Sequence, residues 1–206
     1  MRSEEVTTQT IVGQGERDEL QSPPMPVYCF VILLAGWVAW MTPFIISKRN
    51  KTAPQTVDRR ARVGIVLVAI GYAILWMGPY WRHRPEYWRV SLSVLCYVFA
   101  SLLSWGGRKA LGRQWRVEAG LNADHELVTS GPYRFVRHPI YASMLGTFLA
   151  TGFMITPLWR MAVAAVFFIV GTEIRVRVED HLLTSHFGDS FRTYQRNVPA
   201  YIPFLR

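Results

Sequence analysis

The sequence predicts an all-α, polytopic membrane protein with about five transmembrane helices. Half of the 206 residues are hydrophobic and only 18% are charged, whereas a soluble domain usually carries about a quarter charged residues. The hydrophobic residues are clustered into runs, and most Lys and Arg residues lie between those runs. Composition and clustering together indicate helices that cross a bilayer.

Five apolar runs follow a polar N-terminal segment. Residues 1–26 are rich in Ser, Thr, Gln and charged residues, which predicts a flexible tail. The segment lacks the short apolar core and the small-residue cleavage site of a signal peptide. The apolar runs cover residues 27–47, 63–81, 90–107, 139–155 and 157–174. The first three are long enough to span a membrane, whereas the last two are marginal in length.

The last two runs predict a tight helical hairpin, because little more than Thr156-Pro157 separates them. Ala142, Gly146 and Ala150 recur at four-residue spacing in the first of these two runs. This spacing places small residues on one helix face, where a neighbouring helix can approach closely.

The distribution of basic residues predicts how the chain is oriented. Seventeen of the 23 Lys and Arg residues fall in residues 48–62, in residues 106–138 and from residue 175 onward. Five spans would place all three segments on one side, which the positive-inside rule identifies as the cytoplasmic face, with the N-terminus outside. The net charge of +9 is explained by contact with anionic lipid headgroups. Nucleic acid is not expected as a partner, because the basic residues alternate with membrane runs instead of forming a continuous stripe.

The two cysteines give no indication of a disulfide or a metal site. Cys29 and Cys96 lie in separate apolar runs, where a free thiol behaves as a small hydrophobic side chain. Their positions match no metal-ligand spacing.

One cluster of polar residues lies where the fourth apolar run begins. Pro139 suits the first turn of a helix, so His138 is expected beside backbone N–H groups that can hold an anion. Tyr133 and Tyr141 flank this position with aromatic rings and hydroxyls. The alternative is that Arg137 and His138 anchor lipid headgroups and that the tyrosines belong to an interfacial aromatic belt.

A second cluster lies on the helix that continues out of the fifth run. Arg175 and Glu179 are four residues apart and therefore share a helix face, and Phe187-Gly188 predicts the helix end. The simpler interpretation is an ion pair worth only a few tenths of a kcal/mol. The functional interpretation is that Arg175 holds an anionic group of a substrate and Glu179 a cationic group of a cofactor. A low dielectric at the end of a membrane helix would strengthen both contacts.

The two clusters form part of a longer pattern. It comprises His125-x-Leu127-Val128-x-x-Gly131-x-Tyr133-x-x-x-Arg137-His138-Pro139-x-Tyr141, Arg175-x-x-x-Glu179, Phe187-Gly188-x-x-Phe191-x-x-Tyr194 and Val198-Pro199-x-x-Ile202-Pro203. This composite resembles the isoprenylcysteine carboxyl methyltransferase family, in a small prokaryotic-type form, over about residues 110–206. The first three helices match the family only in number and hydrophobicity. Asp180 and Phe191 are conservative departures from the Glu and Tyr that are frequent in the family.

The resemblance implies three parts: the N-terminal tail, three transmembrane helices over residues 27–107, and a catalytic region over residues 108–206. A cytoplasmic loop, the hairpin and a C-terminal helix would form the site for S-adenosyl-L-methionine. The cofactor pocket would be lined by His125, Glu126, Leu127, Val128, Tyr133, His138, Pro139, Ile140 and Tyr141. Glu179 would hold the amino-acid end of the cofactor, and Arg175 would bind the substrate carboxylate as the catalytic residue.

The implied function is methylation of a carboxylate on a lipid-bearing substrate, such as a prenylcysteine, by a multi-pass protein of the cell inner membrane. Three alternatives remain open at this point. The first is a phospholipid N-methyltransferase, in which Arg175 would bind a phosphate. The second is an NADPH-dependent membrane reductase with a similar C-terminal pattern. The third is a non-catalytic scaffold that binds anionic lipid through its basic loops.

Overall fold

The computed structural model describes residues 24–46, 56–57, 60–82, 84–112, 120–121 and 126–202. Their helices are α1 (Val27–Ile46), α2 (Arg60–Leu75), α3 (Tyr87–Leu111), α4 (Pro139–Ile155), α5 (Leu158–Phe187) and α6 (Asp189–Asn197). Short 3-10 turns cover Tyr80–Arg82 and Gly131–Arg134. Residues 1–23 of the predicted tail lie outside the described part of the chain.

Within the described residues, three helical segments are long and apolar enough to cross a membrane: Val27–Ile46, Arg60–Arg82 and Tyr87–Leu111. Only 22% to 28% of each apolar window is buried inside the protein. Most of their side chains therefore face outward, where lipid would cover them. The chain is an integral membrane protein by this evidence, and α4 adds a shorter apolar helix. The count of five spans and the tight hairpin stay predictions.

Glycines bring α2 and α5 into close contact. A Cβ added to Gly171 would lie 2.6 Å from the backbone oxygen of Gly64 and 2.8 Å from the nitrogen of Val68. One at Gly71 would lie 2.9 Å from the backbone oxygen of Ala164. These distances are shorter than van der Waals contact, so a side chain at either glycine would force the helices apart. This packing holds α5, which carries Arg175, against α2.

The predicted small-residue stripe of α4 faces α3. Ala142, Gly146 and Ala150 are all buried, and a Cβ added to Gly146 would lie 2.8 Å from the Cβ of Ala100. The close approach expected at this stripe is therefore confirmed. α4 packs mainly against α3, whereas α5 packs mainly against α2.

α4 and α5 also touch each other through aromatic side chains. The Phe148 and Phe168 rings are 4.7 Å apart between centroids. In the connection between the helices, the Thr156 hydroxyl donates a 2.8 Å hydrogen bond to the backbone oxygen of Leu75. The turn is thereby fixed to the C-terminal end of α2.

The described fold is helical, as predicted, apart from one very short antiparallel pairing. Strand β1 (Thr56–Val57) pairs with β2 (Gly120–Leu121). The pairing joins the segment after α1 to the segment after α3, so both lie at the same end of the bundle. Two residues are too few to show the alternation by which a strand is detected in a sequence.

Candidate functional site

The two sequence clusters meet where the start of α4 lies against the C-terminal half of α5. His138 is the residue before α4, and Pro139 occupies its first turn, as predicted. Helix α5 ends at Phe187, and Gly188 follows it with a φ of 56°, which also agrees with the sequence. Arg175 and Glu179 share the face of α5 that points towards α4, since both contact Tyr141.

His138 bridges two carboxylates on α5. Its Nε2 lies 2.9 Å from Asp180 Oδ1, and its Nδ1 lies 3.5 Å from Glu179 Oε2. A neutral imidazole has a proton on only one nitrogen, whereas the cation donates from both. An oxygen acceptor at each ring nitrogen therefore favours the doubly protonated form.

The surroundings of His138 stabilise its charge. Burial alone would lower its pKa, but the hydrogen bonds to Asp180 and Glu179 and the charges of both carboxylates outweigh burial and raise the pKa to about 8. Burial would likewise raise the carboxylate pKa values. The His138 hydrogen bonds and charge, with Arg175 assisting at Glu179 and Arg137 at Asp180, instead lower the pKa of both acids. The site is therefore ionised at neutral pH.

Tyr141 connects Arg175 to Glu179. The Tyr141 hydroxyl accepts a 2.7 Å hydrogen bond from Arg175 Nε and donates one to Glu179 Oε1. Arg175 Nη2 lies 3.5 Å from the same carboxylate oxygen. The Arg175 side chain is 8% exposed and that of Glu179 is 25% exposed. The predicted ion pair is thus present, but it is largely buried and held by a third residue from another helix.

Asp180 is the main participant that sequence reasoning left without a role. Its Oδ2 accepts hydrogen bonds from Arg137 Nη2 and Gln195 Nε2, each 3.1 Å long, while its Oδ1 faces His138. The carboxylate therefore joins α5 to the segment before α4 and to α6. The sequence contained one weak signal, which was a second acid directly after Glu179.

The interpretation of Arg137 and His138 as lipid-headgroup anchors is wrong, because both are buried. They are 4% and 6% exposed. Arg137 also donates from Nη1 to the backbone oxygens of Gln195 and Val198. Backbone hydrogen bonds of 2.8 Å run from Arg137 N to Pro199 O and from His138 N to Ala200 O. The C-terminal segment is therefore fixed against the start of α4, and these cations are used inside the protein.

The remaining predicted cofactor residues differ in how deeply they are buried. Tyr133 is buried in the turn before α4, where burial and the nearby charge of Glu179 raise its pKa. Its phenol therefore stays neutral next to the site. Ile140 is half-buried in the first turn of α4. In the irregular segment before the turn, Leu127 and Val128 are half-buried and Glu126 is exposed. The predicted His125 lies outside the described residues.

The raised pKa of His138 predicts an alkaline loss of stability. A group whose pKa is raised from 6.5 to about 8 on folding stabilises the protein fully below pH 6.5 and loses that contribution as pH rises through 8. The pKa values of Glu179 and Asp180 are lowered on folding from 4.5 and 3.8. These two acids therefore lose their stabilising contributions as pH falls below those values. Thermal unfolding in detergent should show the highest midpoint between pH 4.5 and 6.5.

The control for this pH profile is His138→Gln, which removes the titrating ring. Its unfolding midpoint should be lower than the wild-type midpoint at pH 6 and should vary little between pH 6.5 and 9. A wild-type midpoint that stays constant over that alkaline range would contradict a charged His138 in the folded protein.

Comparison with known proteins bears directly on this site. A model of the isoprenylcysteine carboxyl methyltransferase family matches residues 92–185. Over this region, a little under half of its length, the chain is similar to that family. The matched region covers most of α3, all of α4 and most of α5, so it contains His138, Arg175 and Glu179. The prediction of the family from the sequence pattern is confirmed.

The relatives that this chain matches carry different names. The cobalt-zinc-cadmium resistance protein CzcN of Cupriavidus metallidurans is 34% identical over 145 residues, which are 60% of this chain and 65% of that protein. The protein-S-isoprenylcysteine O-methyltransferase of Schizosaccharomyces pombe is 39% identical over 88 residues, 41% of this chain and 36% of the yeast protein. A methanethiol S-methyltransferase of Pseudomonas deceptionensis is 35% identical over 75 residues, 36% of this chain and 27% of the relative. The chain thus covers less than two thirds of each.

Proposed function

We propose that this protein is an S-adenosyl-L-methionine-dependent membrane methyltransferase that esterifies a carboxylate on a lipid-bearing substrate. The observation that carries the proposal is the buried network of Arg175, Tyr141, Glu179 and His138 at the ends of apolar helices. Ionised groups at such places are costly and are usually retained for function. The names of the yeast and Pseudomonas relatives support methyl transfer as that function.

The residues present fit the cofactor. S-adenosyl-L-methionine carries an ammonium, a sulfonium and a carboxylate, and it supplies an electrophilic methyl group when bound. Glu179 offers a partly exposed carboxylate for the ammonium. The rings of Tyr133 and Tyr141 are suited to a sulfonium cation, because aromatic faces attract cations. His125, Glu126, Leu127, Val128, His138, Pro139 and Ile140 would complete the pocket.

The charge balance of the network suits an anionic acceptor. Three cations, Arg137, His138 and Arg175, face two carboxylates, Glu179 and Asp180. The 3.5 Å separation of Arg175 Nη2 and Glu179 Oε1 is longer than an ordinary hydrogen bond. An acceptor carboxylate can therefore compete for the guanidinium, whose planar fork binds two oxygens at once.

The proposed chemistry requires positioning more than proton transfer. A carboxylate is already ionised at neutral pH, so no general base has to activate it. Arg175 orients the acceptor, and Tyr141 fixes Arg175 by accepting its Nε proton in a hydrogen bond. Burial of both side chains excludes water, and orientation of the reactants then lowers the barrier.

The proposal includes an arrangement in the membrane. The helices of residues 27–107 would anchor residues 108–206, with the N-terminus outside and the site at the cytoplasmic face of the inner membrane. The excess of Lys and Arg in the segments at that end supports this orientation. A lipid-bearing acceptor would approach from the bilayer, which would surround the outward-facing side chains of the apolar helices.

Calorimetry and product analysis test the proposal. The purified protein in lipid nanodiscs should bind S-adenosyl-L-methionine and transfer its labelled methyl group to a lipid-bearing carboxylate. A methyl ester releases the label as methanol in base, whereas a methylated amine does not. Binding of NADPH without binding of S-adenosyl-L-methionine would favour the reductase, and base-stable label in phospholipid would favour the N-methyltransferase.

A further inference from the structure

The adjacent carboxylates Glu179 and Asp180 occupy different surroundings. Asp180 has a 7% exposed side chain and receives donors from His138, Arg137 and Gln195. Glu179 has a 25% exposed side chain and lies 3.5 Å from His138 Nδ1. The first carboxylate is enclosed by protein donors, whereas the second remains accessible to a ligand. The two acids therefore have different roles in the site.

His138 is the link between them. Its ring is held from one side by Asp180, at 2.9 Å, and presents the opposite nitrogen to Glu179. Asp180 is itself held by two further donors from separate elements, Arg137 before α4 and Gln195 on α6. A carboxylate with three fixed donors has little freedom to move, so the orientation of the imidazole is determined by groups that do not reach Glu179.

We propose that Asp180 is a positioning residue that orients His138 against Glu179 and thereby sets the affinity of the site for S-adenosyl-L-methionine. This inference rests on the proposed function. Asp180 acts only through His138, and it contacts neither the cofactor nor the acceptor. Gln195 contributes by holding the same carboxylate from α6, which makes the C-terminal part of the chain a support for the cofactor site.

The charged groups around His138 predict a pH dependence of binding. Glu179 and Asp180 face the ring from α5, Tyr141 lies beside it on α4 with ring centroids 5.7 Å apart, and Arg137 precedes it. Loss of the His138 proton would leave the ring with a single N–H, so it could no longer donate to both carboxylates and hold Glu179 in place. Cofactor affinity should therefore fall as pH rises through about 8. Removal of the Asp180 charge should move this fall to lower pH.

The test compares wild type, Asp180→Asn and Asp180→Glu in cofactor calorimetry between pH 6 and 9.5. Asp180→Asn should weaken binding at pH 7 by about 10- to 100-fold, the value of a hydrogen bond to a charged group, and should shift the alkaline decline to lower pH. Asp180→Glu keeps the charge and should restore the wild-type pH profile. Asp189→Asn is the matched control, because that acid on α6 is 94% exposed, and it should bind as wild type does.

Two outcomes separate this proposal from the proposed function. If the wild type binds the cofactor and Asp180→Asn has the same affinity and the same pH profile, only the positioning role is overturned. Absence of cofactor binding in every protein, wild type included, would overturn the proposed function. Nitrogen NMR of the histidine side chains in the wild type, assigned with His138→Gln, needs no Asp180 variant. Both ring nitrogens of His138 should be protonated at pH 7, and a neutral ring would overturn the arrangement.

Discussion

Substitution of Gln for Arg175 is expected to lower kcat/KM for methyl transfer by about 100-fold or more, the usual effect of losing one preorganised charged donor in a buried site. The loss should appear mainly with respect to the acceptor, because Arg175 is proposed to bind its carboxylate. Glu179→Gln should instead raise the Kd for S-adenosyl-L-methionine. Steady-state kinetics and calorimetry on the two variants distinguish these effects.

The same helix provides a matched control. Glu173 and Arg177 form a second ion pair at i,i+4 spacing, 2.9 Å long, with the Arg177 side chain 71% exposed. Arg177→Gln therefore removes an equivalent charge two residues from Arg175 but outside the network. An exposed pair contributes little, so activity should stay near that of the wild type. Equal losses in Arg175→Gln and Arg177→Gln would support the simpler interpretation, in which the i,i+4 pairs only stabilise the helix.

Substitution of Val for Gly171 is expected to destabilise the protein by about 3 kcal/mol, the upper end of the cost of overpacking. The new side chain would collide with the backbone of α2, at the oxygen of Gly64 and the nitrogen of Val68. Backbone atoms cannot relieve such a collision by changing rotamer, as a side chain can. The gain in helix propensity is below about 1 kcal/mol and does not offset this cost. Unfolding in detergent would measure the loss.

Activity should fall together with stability, because the same contact positions the candidate catalytic residue. The Cγ atom of Arg175 lies only 2.6 Å from where a Cβ on Gly64 would be, so a wider gap between α2 and α5 displaces its guanidinium from Tyr141. Val170→Leu is the control, since it enlarges a neighbouring side chain that is 46% exposed. Near-wild-type unfolding and activity of Gly171→Val would show that the helices separate at little cost.

Local features of the chain could be predicted from its sequence. The bounds of α1, the length of α5 and its end at Gly188 follow from apolar length and from residue types that begin or end helices. The shared face of Arg175 and Glu179 follows from helix periodicity, because residues four apart are neighbours on any α-helix. The similarity to the family could also be predicted, since its pattern of residues is spread along the chain in a fixed order.

The residues that they contact could not be predicted from the sequence. Nothing in the sequence relates Asp180 to Gln195 and Arg137, or Gly64 to Gly171, because these pairs are brought together by how helices pack. Arg137 shows the consequence most clearly. Its sequence position at the edge of an apolar run fits a headgroup anchor, and only its burial against Asp180 and the C-terminal segment reveals an internal role.

The sequence by itself therefore determined that this is a helical membrane protein similar to a methyltransferase family, and which charged residues lie at its helix ends. Periodicity, length and residue order act over a few residues and need no knowledge of neighbours. The tertiary structure alone decided that His138 lies between two carboxylates, that Tyr141 joins Arg175 to Glu179, and that one carboxylate is enclosed while the other is accessible. Those relations depend on distances between separate helices, which are fixed by packing across the whole chain.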